Sequence, residues 1–312
     1  MYYQYFGFEK NPFDIHPDPD FLYLSDKHRE ALAHLKYSVI ERKPFLLLVG
    51  DVGVGKTTLI NFFLNDLKDR KDIVVLPILN PNLTLKEFYL LLARKLGLKS
   101  FRSKADFMEQ FKVAVSRMIG KGKIIVLLID EAQSLSEKLL EELRLLSNLV
   151  QETAGFVVIL VGQPDLYEKL KSKALYSLKQ RFVFKYHLGP FDNINDVAQY
   201  LATRILKSGA GNTQLFSKEA VDAIFYFSKG IPRLINIIAD HSLMNAYLKG
   251  VKLINRDIVC EAVKELDHII PQDLVVGYCD KKFFQKKFVY LAVFFFLVLG
   301  ILFFYYEFFI KH

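Results

Sequence analysis

One run, Gly50-Asp51-Val52-Gly53-Val54-Gly55-Lys56-Thr57 with Thr58 behind it, limits the possible folds more than any other stretch. It fits G-x-x-x-x-G-K-[ST], and its flanks supply the context that such a match requires. The apolar Phe45–Val49 before it predicts a buried strand, and Thr58–Leu64 after it predicts a helix. Strand, glycine loop and helix in that order aim successive backbone N–H groups at one point beside a helix N-terminus, which suits phosphate. The glycines let the backbone curl. Gly50–Thr58 is therefore expected to bind a nucleoside triphosphate with Mg²⁺. Lys56 would reach the β- and γ-phosphates and the Thr57 hydroxyl would ligate the metal.

Further apolar runs alternate with helical patterns. Candidate strands are Pro44–Val49, Ile73–Leu79, Ile124–Asp130, Phe156–Gly162 and Phe182–His187. Between them, Leu85, Phe88, Leu92 and Leu96 recur three and four apart, and Thr84 with Glu87 forms a capping-box pattern. Strands separated by helices predict an α/β fold with a parallel sheet. After Gly189-Pro190 the strands stop, and four helix-like stretches follow: Asn193–Lys207, Ser217–Ser228, Ile231–Leu248 and Arg256–Leu266. The expected organisation is a nucleotide-binding domain over 1–190, a helical lid over 191–268, a basic linker over 269–287, an apolar span over 288–306 and a short tail over 307–312.

A phosphate loop alone gives binding. Hydrolysis also needs an acid beside Mg²⁺ and a group that activates water. Six apolar residues, Ile124–Ile129, precede Asp130-Glu131, so both carboxylates emerge at the C-terminal end of a parallel strand, where ligands bind. Asp130 is expected to hold Mg²⁺ and Glu131 to orient or deprotonate water. The apolar Phe156–Gly162 ends in Gln163, placed to touch the γ-phosphate or that water.

The other bulk features bound the chemistry. The two cysteines, Cys260 and Cys279, make no C-x-x-C, which implies reduced thiols and no zinc or disulfide framework. His28, His34 and His241 lack metal-ligand spacing and are expected to pack or cap locally. The formal charge is +8, and Lys281, Lys282, Lys286 and Lys287 cluster directly before Phe288–Tyr306, nineteen residues without a charge. At 1.5 Å per residue such a run spans about 28 Å as a helix, close to one hydrocarbon core. Lysines on its N-terminal side predict that residues 1–287 stay in the cytoplasm.

With the phosphate loop these residues form a wider pattern: Phe6-Gly7-Phe8, Asn11-Pro12-Phe13, Pro17-Asp18-Pro19, His28–Leu32, Asp130–Leu135, Leu143–Asn148, Val161–Pro164, Gln180-Arg181-Phe182 and Gly230–Asn236. The chain resembles the ExeA/GspA-like AAA+ ATPases, the membrane-anchored ATPases of bacterial general secretion and of MSHA-type pilus biogenesis. The resemblance covers about residues 1–268. It implies ATP and Mg²⁺ as cofactors, a homo-oligomeric ring, an inner-membrane location and envelope-assembly proteins as partners. It also implies that Arg181 is an arginine finger reaching a neighbouring subunit, and that Arg233 is a sensor arginine on the lid. An arginine suits either place because its planar fork pairs with phosphate. Asn11-Pro12-Phe13 is expected either to stack on adenine or to pack in the core. Two departures stand out: Lys229 replaces a glycine that the family often has, and the periplasmic domain of longer members is not expected here.

Two other function classes share parts of this pattern. A DNA-dependent ATPase of the transposition target-selection type shares the core, but much of the positive charge lies beside the apolar span and no aromatic-basic interleaving is present, so nucleic acid is not expected as a partner. A nucleotide-gated scaffold with little turnover fits less well with an intact Asp130-Glu131 pair.

Overall fold

The strand expectations hold to within a residue. The computed structural model describes residues 2–79, 81–151 and 154–279. Its strands are β1 (Phe45–Val49), β2 (Ile73–Ile78), β3 (Ile124–Ile129), β4 (Phe156–Gly162) and β5 (Phe182–His187). They form one parallel sheet in the order β2-β3-β4-β1-β5. Continuous apolar runs make such strands because a parallel sheet is covered on both faces. Alternate residues divide between those faces. Leu47, Leu127 and Val158 pack with helices Leu85–Leu96, Lys104–Gly120 and Glu137–Leu149 on one side. Leu48, Val126 and Val157 pack with helices Asp26–Ile40 and Lys56–Leu67 on the other. Pro77 sits in β2, an edge strand, where its missing N–H removes no ladder bond.

The chain divides into two compact units. The first holds the sheet and comprises Ile15–Lys207 with Ile231–Arg233. The break falls after Lys207, whereas the sequence placed it at 190. The reason is helix Ile194–Lys207, which buries Val197, Leu201 and Ile205 and sets Tyr200 against Phe191 and Tyr23 of the same unit.

The second unit is helical and, among the described residues, contains 2–14, Ser208–Gly230 and 234–279. Its helices include Lys218–Ser228, most of Pro232–Leu248, Arg256–Lys264 and Gln272–Cys279. The last of these corrects the expected linker over 269–287. Gln272–Cys279 is helical because Val275 is fully buried and Tyr278 stacks on Tyr226 with ring centres 4.4 Å apart. The same packing overturns the expectation of two free thiols: Cys260 and Cys279 form a disulfide, with Cα atoms 5.7 Å apart. Lys229 caps helix Lys218–Ser228 in the left-handed region at φ +50°, a conformation that normally favours glycine. The apolar run 288–306 lies outside the described residues, and among the described residues no helix is long and apolar enough to cross a membrane.

Candidate functional site

The phosphate loop follows β1 and opens the helix Lys56–Leu67. Its first glycine is pinned by a bond from Gly50 N–H to the Gly162 carbonyl, 3.1 Å, at the end of β4. A Cβ on Gly50 would lie 2.3 Å from the Leu188 carbonyl oxygen, so no side chain fits. Gly55 is left-handed at φ +97° and turns the loop into the helix, with the His28 ring directly beside it. His28 is buried; its Nδ1 lies 2.7 Å from Ser25 Oγ, and its Nε2 lies 3.3 Å from the Val54 carbonyl. Burial holds its pKa down at about 4, so the ring is neutral and braces the loop. The expected local role for His28 stands, and the loop is what it supports.

Lys56 folds back over the loop. Its ammonium donates to the carbonyls of Gly50, 2.7 Å, and Asp51, 2.9 Å. Burial lowers its pKa, opposed by the charges of Glu131, Asp130 and Asp51. Val54 is buried, Thr58 is half-buried, and Asp51 and Val52 are exposed at the loop's tip.

β3 delivers the acids. The Thr57 hydroxyl donates to Asp130 Oδ2 at 3.0 Å, and the Glu131 N–H donates to Asp130 Oδ1 at 2.9 Å. Asp130 is only 2% exposed, and burial raises its pKa against the opposing bonds from Glu131 N–H and Thr57. A carboxylate so deeply placed beside a hydroxyl oxygen is the hard-oxygen donor set that suits Mg²⁺.

Glu131 takes the left-handed conformation at φ +52°, uncommon for a residue with a Cβ and a mark of a position held by its surroundings. Gln133 holds it. Its Nε2 donates to Glu131 Oε2 at 2.5 Å, while its Oε1 accepts the Gln163 N–H at 3.0 Å. The Lys169 ammonium clamps the same turn by donating to the carbonyls of Gln133, 2.5 Å, and Leu135, 2.9 Å. Gly162 makes room, since a Cβ there would meet Gln133 Oε1 at 2.8 Å. Sequence reasoning assigned Gln133 no role, although the glycine that ends the otherwise apolar β4 was the visible trace of it.

Arg233 reaches the loop through its backbone, donating its N–H to the Gly53 carbonyl at 3.1 Å. Gly53 is left-handed at φ +85°, and a Cβ on it would lie 2.7 Å from the Arg233 Cβ. Arg181 is elsewhere. It immediately precedes β5, whose Phe182 pairs with Phe45 at the start of β1, while the loop follows the end of β1. Six residues of strand separate the two levels, about 20 Å at 3.3 Å per residue. Arg181 is half-buried, bonds Gln151 Oε1 at 3.4 Å, and has its pKa lowered by burial and then by Arg144. Phe13 is 1% exposed and packs edge-on against Phe216, a core contact that agrees with the packing alternative for Asn11-Pro12-Phe13.

Thus Gly50–Thr58, Asp130, Glu131, Gln163 and Arg233 converge, and Arg181 stands at the opposite end of the strands. The arrangement can grip a polyphosphate, hold a divalent cation and present a carboxylate to water.

Residues 39–170 match the family described as AAA domain. General secretion pathway protein A of Aeromonas hydrophila is 39% identical over 268 residues, which is 83% of this chain and 47% of that protein. The chain therefore spans about half the length of the curated relative it matches. Among solved structures, the Aeropyrum pernix ORC2 protein in ADPNP–ADP complexes aligns with a TM-score of 0.59 at 18% identity, over 82% of this chain and 72% of that one. The Drosophila ORC bound to DNA aligns with a TM-score of 0.59 at 18% identity, over 86% and 67%. Domain III of the Thermotoga maritima replication initiation protein DnaA gives 0.52 at 20% identity, over 80% and 98%. These structures share the fold.

Proposed function

This chain carries a GspA-like AAA ATPase core, and from that premise we propose that it binds ATP with Mg²⁺ and hydrolyses it to assist assembly of a bacterial envelope machine. The observation that carries the hydrolytic reading is the 3.0 Å contact of Thr57 Oγ1 with Asp130 Oδ2, with Glu131 next in the chain and restrained by Gln133. The loop N–H groups bind the phosphates, and Lys56 exchanges its contacts to Gly50 and Asp51 for phosphate oxygens. Thr57 and Asp130 would hold the cation, which would supply positive charge against the developing phosphate charge. Glu131 uses the oxygen that Gln133 does not occupy to take a proton from the attacking water. Gln163 and Arg233 approach the γ-phosphate from the ends of β4 and of the 231–233 segment.

Arg181 supports a site shared between copies. Lying about 20 Å below its own loop, it meets a phosphate only when that phosphate belongs to another subunit, which favours a homo-oligomer. The run 288–306, preceded by four lysines within residues 281–287, favours a single span with the two units on the cytoplasmic side. Secretion, pilus biogenesis and polysaccharide export are the machines this reading admits.

The test uses the full chain in detergent. Mg²⁺-dependent phosphate release is expected, and Glu131→Gln is expected to abolish it while leaving nucleotide binding intact. Turnover unchanged in Glu131→Gln would remove the hydrolytic assignment.

A further inference from the structure

The helical unit exposes apolar residues together at one tip. Helix Pro232–Leu248 ends in Tyr247 and Leu248, and the turn continues Lys249-Gly250-Val251-Lys252-Leu253. Met244 is 43% exposed, Leu248 73%, Val251 39% and Leu253 57%. The tip is ordered. Lys249 N–H donates to the Asn245 carbonyl at 3.1 Å, and Val251 N–H donates to the Ala246 carbonyl at 3.0 Å. Gly250 supplies the left-handed residue at φ +69°. Beside it, the rings of Tyr5 and Tyr247 meet edge-on at 5.4 Å, and the Lys252 ammonium lies 5.7 Å over Tyr5.

Exposed leucine and valine beside two tyrosines and two lysines have the chemistry of a water–lipid boundary. Apolar side chains enter the acyl region, tyrosines sit at headgroup depth, and a lysine such as Lys252 lays its stem along the surface with its charge among anionic headgroups. A protein-facing core patch would instead be depleted of lysine.

Two links tie this tip to the point where the described chain ends. Lys249 Nζ donates to Glu261 Oε1 at 2.6 Å, and the neighbouring Cys260 is bonded to Cys279. Arg256, three residues past Leu253, lies 4.6 Å over the Tyr278 ring. The residues after Cys279 in sequence are the lysine cluster of 281–287 and the uncharged 288–306 run.

We propose that the 247–253 tip, with Tyr5, rests on the anionic surface of the bilayer that the 288–306 run enters, giving this unit a second and superficial membrane contact. This inference rests on the anchored reading above. It makes the membrane a docking surface for the helical unit rather than only the end of a leash.

The chain contains no tryptophan, so Leu253→Trp introduces a single reporter. The full-length variant is placed in nanodiscs of mixed phosphatidylglycerol and phosphatidylcholine, or of phosphatidylcholine alone, with brominated acyl chains as quenchers. A blue-shifted emission quenched by bromine in the anionic discs, weakened in phosphatidylcholine and weakened again by Lys252→Glu, supports the contact. Leu206→Trp, at a residue 63% exposed in the other unit, should stay unquenched. If the Leu253→Trp chain co-elutes with discs but its emission is red and unquenched, or blue-shifted without bromine quenching, the tip does not meet lipid and this inference fails alone. If the chain does not enter discs at all, the anchored reading fails and this one with it.

Discussion

Replacing Gln133 with leucine separates the positioning of Glu131 from everything else the site does. The side-chain volume is nearly kept, but two hydrogen bonds vanish: the 2.5 Å donation to Glu131 Oε2 and the 3.0 Å acceptance from Gln163 N–H. The first is charge-assisted and contributes about 1.5–3 kcal/mol. Where that energy holds Glu131 against its water in the transition state, each 1.36 kcal/mol is tenfold, so kcat should fall about 10- to 150-fold. The second loss strands a backbone N–H at the end of β4 and should cost about 1–3 kcal/mol of stability. Nucleotide affinity should not change, because the partners of Lys56 and Thr57 are Gly50, Asp51 and Asp130, none of which contacts Gln133 in the bonds described. The assay is steady-state phosphate release at saturating ATP across pH, paired with a fluorescent-nucleotide titration and a urea melt. Gly162→Ala should reproduce the kinetic defect independently, since its Cβ would meet Gln133 Oε1 at 2.8 Å. A Gln133→Leu protein that loses stability yet keeps kcat and its pH profile would show that Gln133 only braces the turn, and the reasoning would be wrong.

Gly50→Ala should abolish nucleotide binding and lower the melting temperature, since the new Cβ would stand 2.3 Å from the Leu188 carbonyl oxygen, a backbone atom that cannot swing aside; normal binding by calorimetry would contradict this. His28 resists protonation in the fold, with a pKa of about 4 against 6.5 for the free side chain. Its contribution is therefore complete above pH 6.5 and lost as pH falls towards 4, about 3 kcal/mol in all. Urea midpoints between pH 7.5 and 4.5 should fall accordingly, and His28→Gln should flatten that limb; an equally steep limb in the variant would exclude the histidine as its source. Arg181→Ala and Glu131→Gln should each be inactive alone but recover turnover when mixed, because one chain supplies the acid and its neighbour the arginine. Recovery should be absent if the arginine serves its own chain.

What was legible in the sequence followed from local rules. β1, β3 and β4 are uninterrupted apolar runs, and a chain can bury such runs only between two layers, so the sheet and the loops at its ends could be anticipated. Thr84 and Glu87 form their capping box as read. The harder features are long-range. Gln133 and Gln163 are thirty residues apart and meet only because β3 and β4 are adjacent. The left-handed Glu131 has no glycine to signal it. Phe13 left stacking and packing both open in the sequence, because an aromatic serves either, and its contact with Phe216 is made across about two hundred residues. The cysteine pair gives no sign of its bond in the sequence, because its spacing fits no motif. The fold-back of Gln272–Cys279, anchored by Val275 and Tyr278, is what brings the thiols together.

That fold-back also sets a length. Cys260 and Cys279 are separated by 19 residues along the chain and by 5.7 Å between Cα atoms. While the bond is closed, a pull on the chain beyond Cys279 passes straight into helix Arg256–Lys264, and the intervening segment bears no load. Once it is reduced, the same pull can peel off Gln272–Cys279, whose only buried residue is Val275. Drawing that segment straight would release about 60 Å of slack, more than the thickness of the bilayer itself. The cysteine pair is thus a buckle on the chain: closed or open, it sets the length of strap between helix Arg256–Lys264 and the residues that follow Cys279.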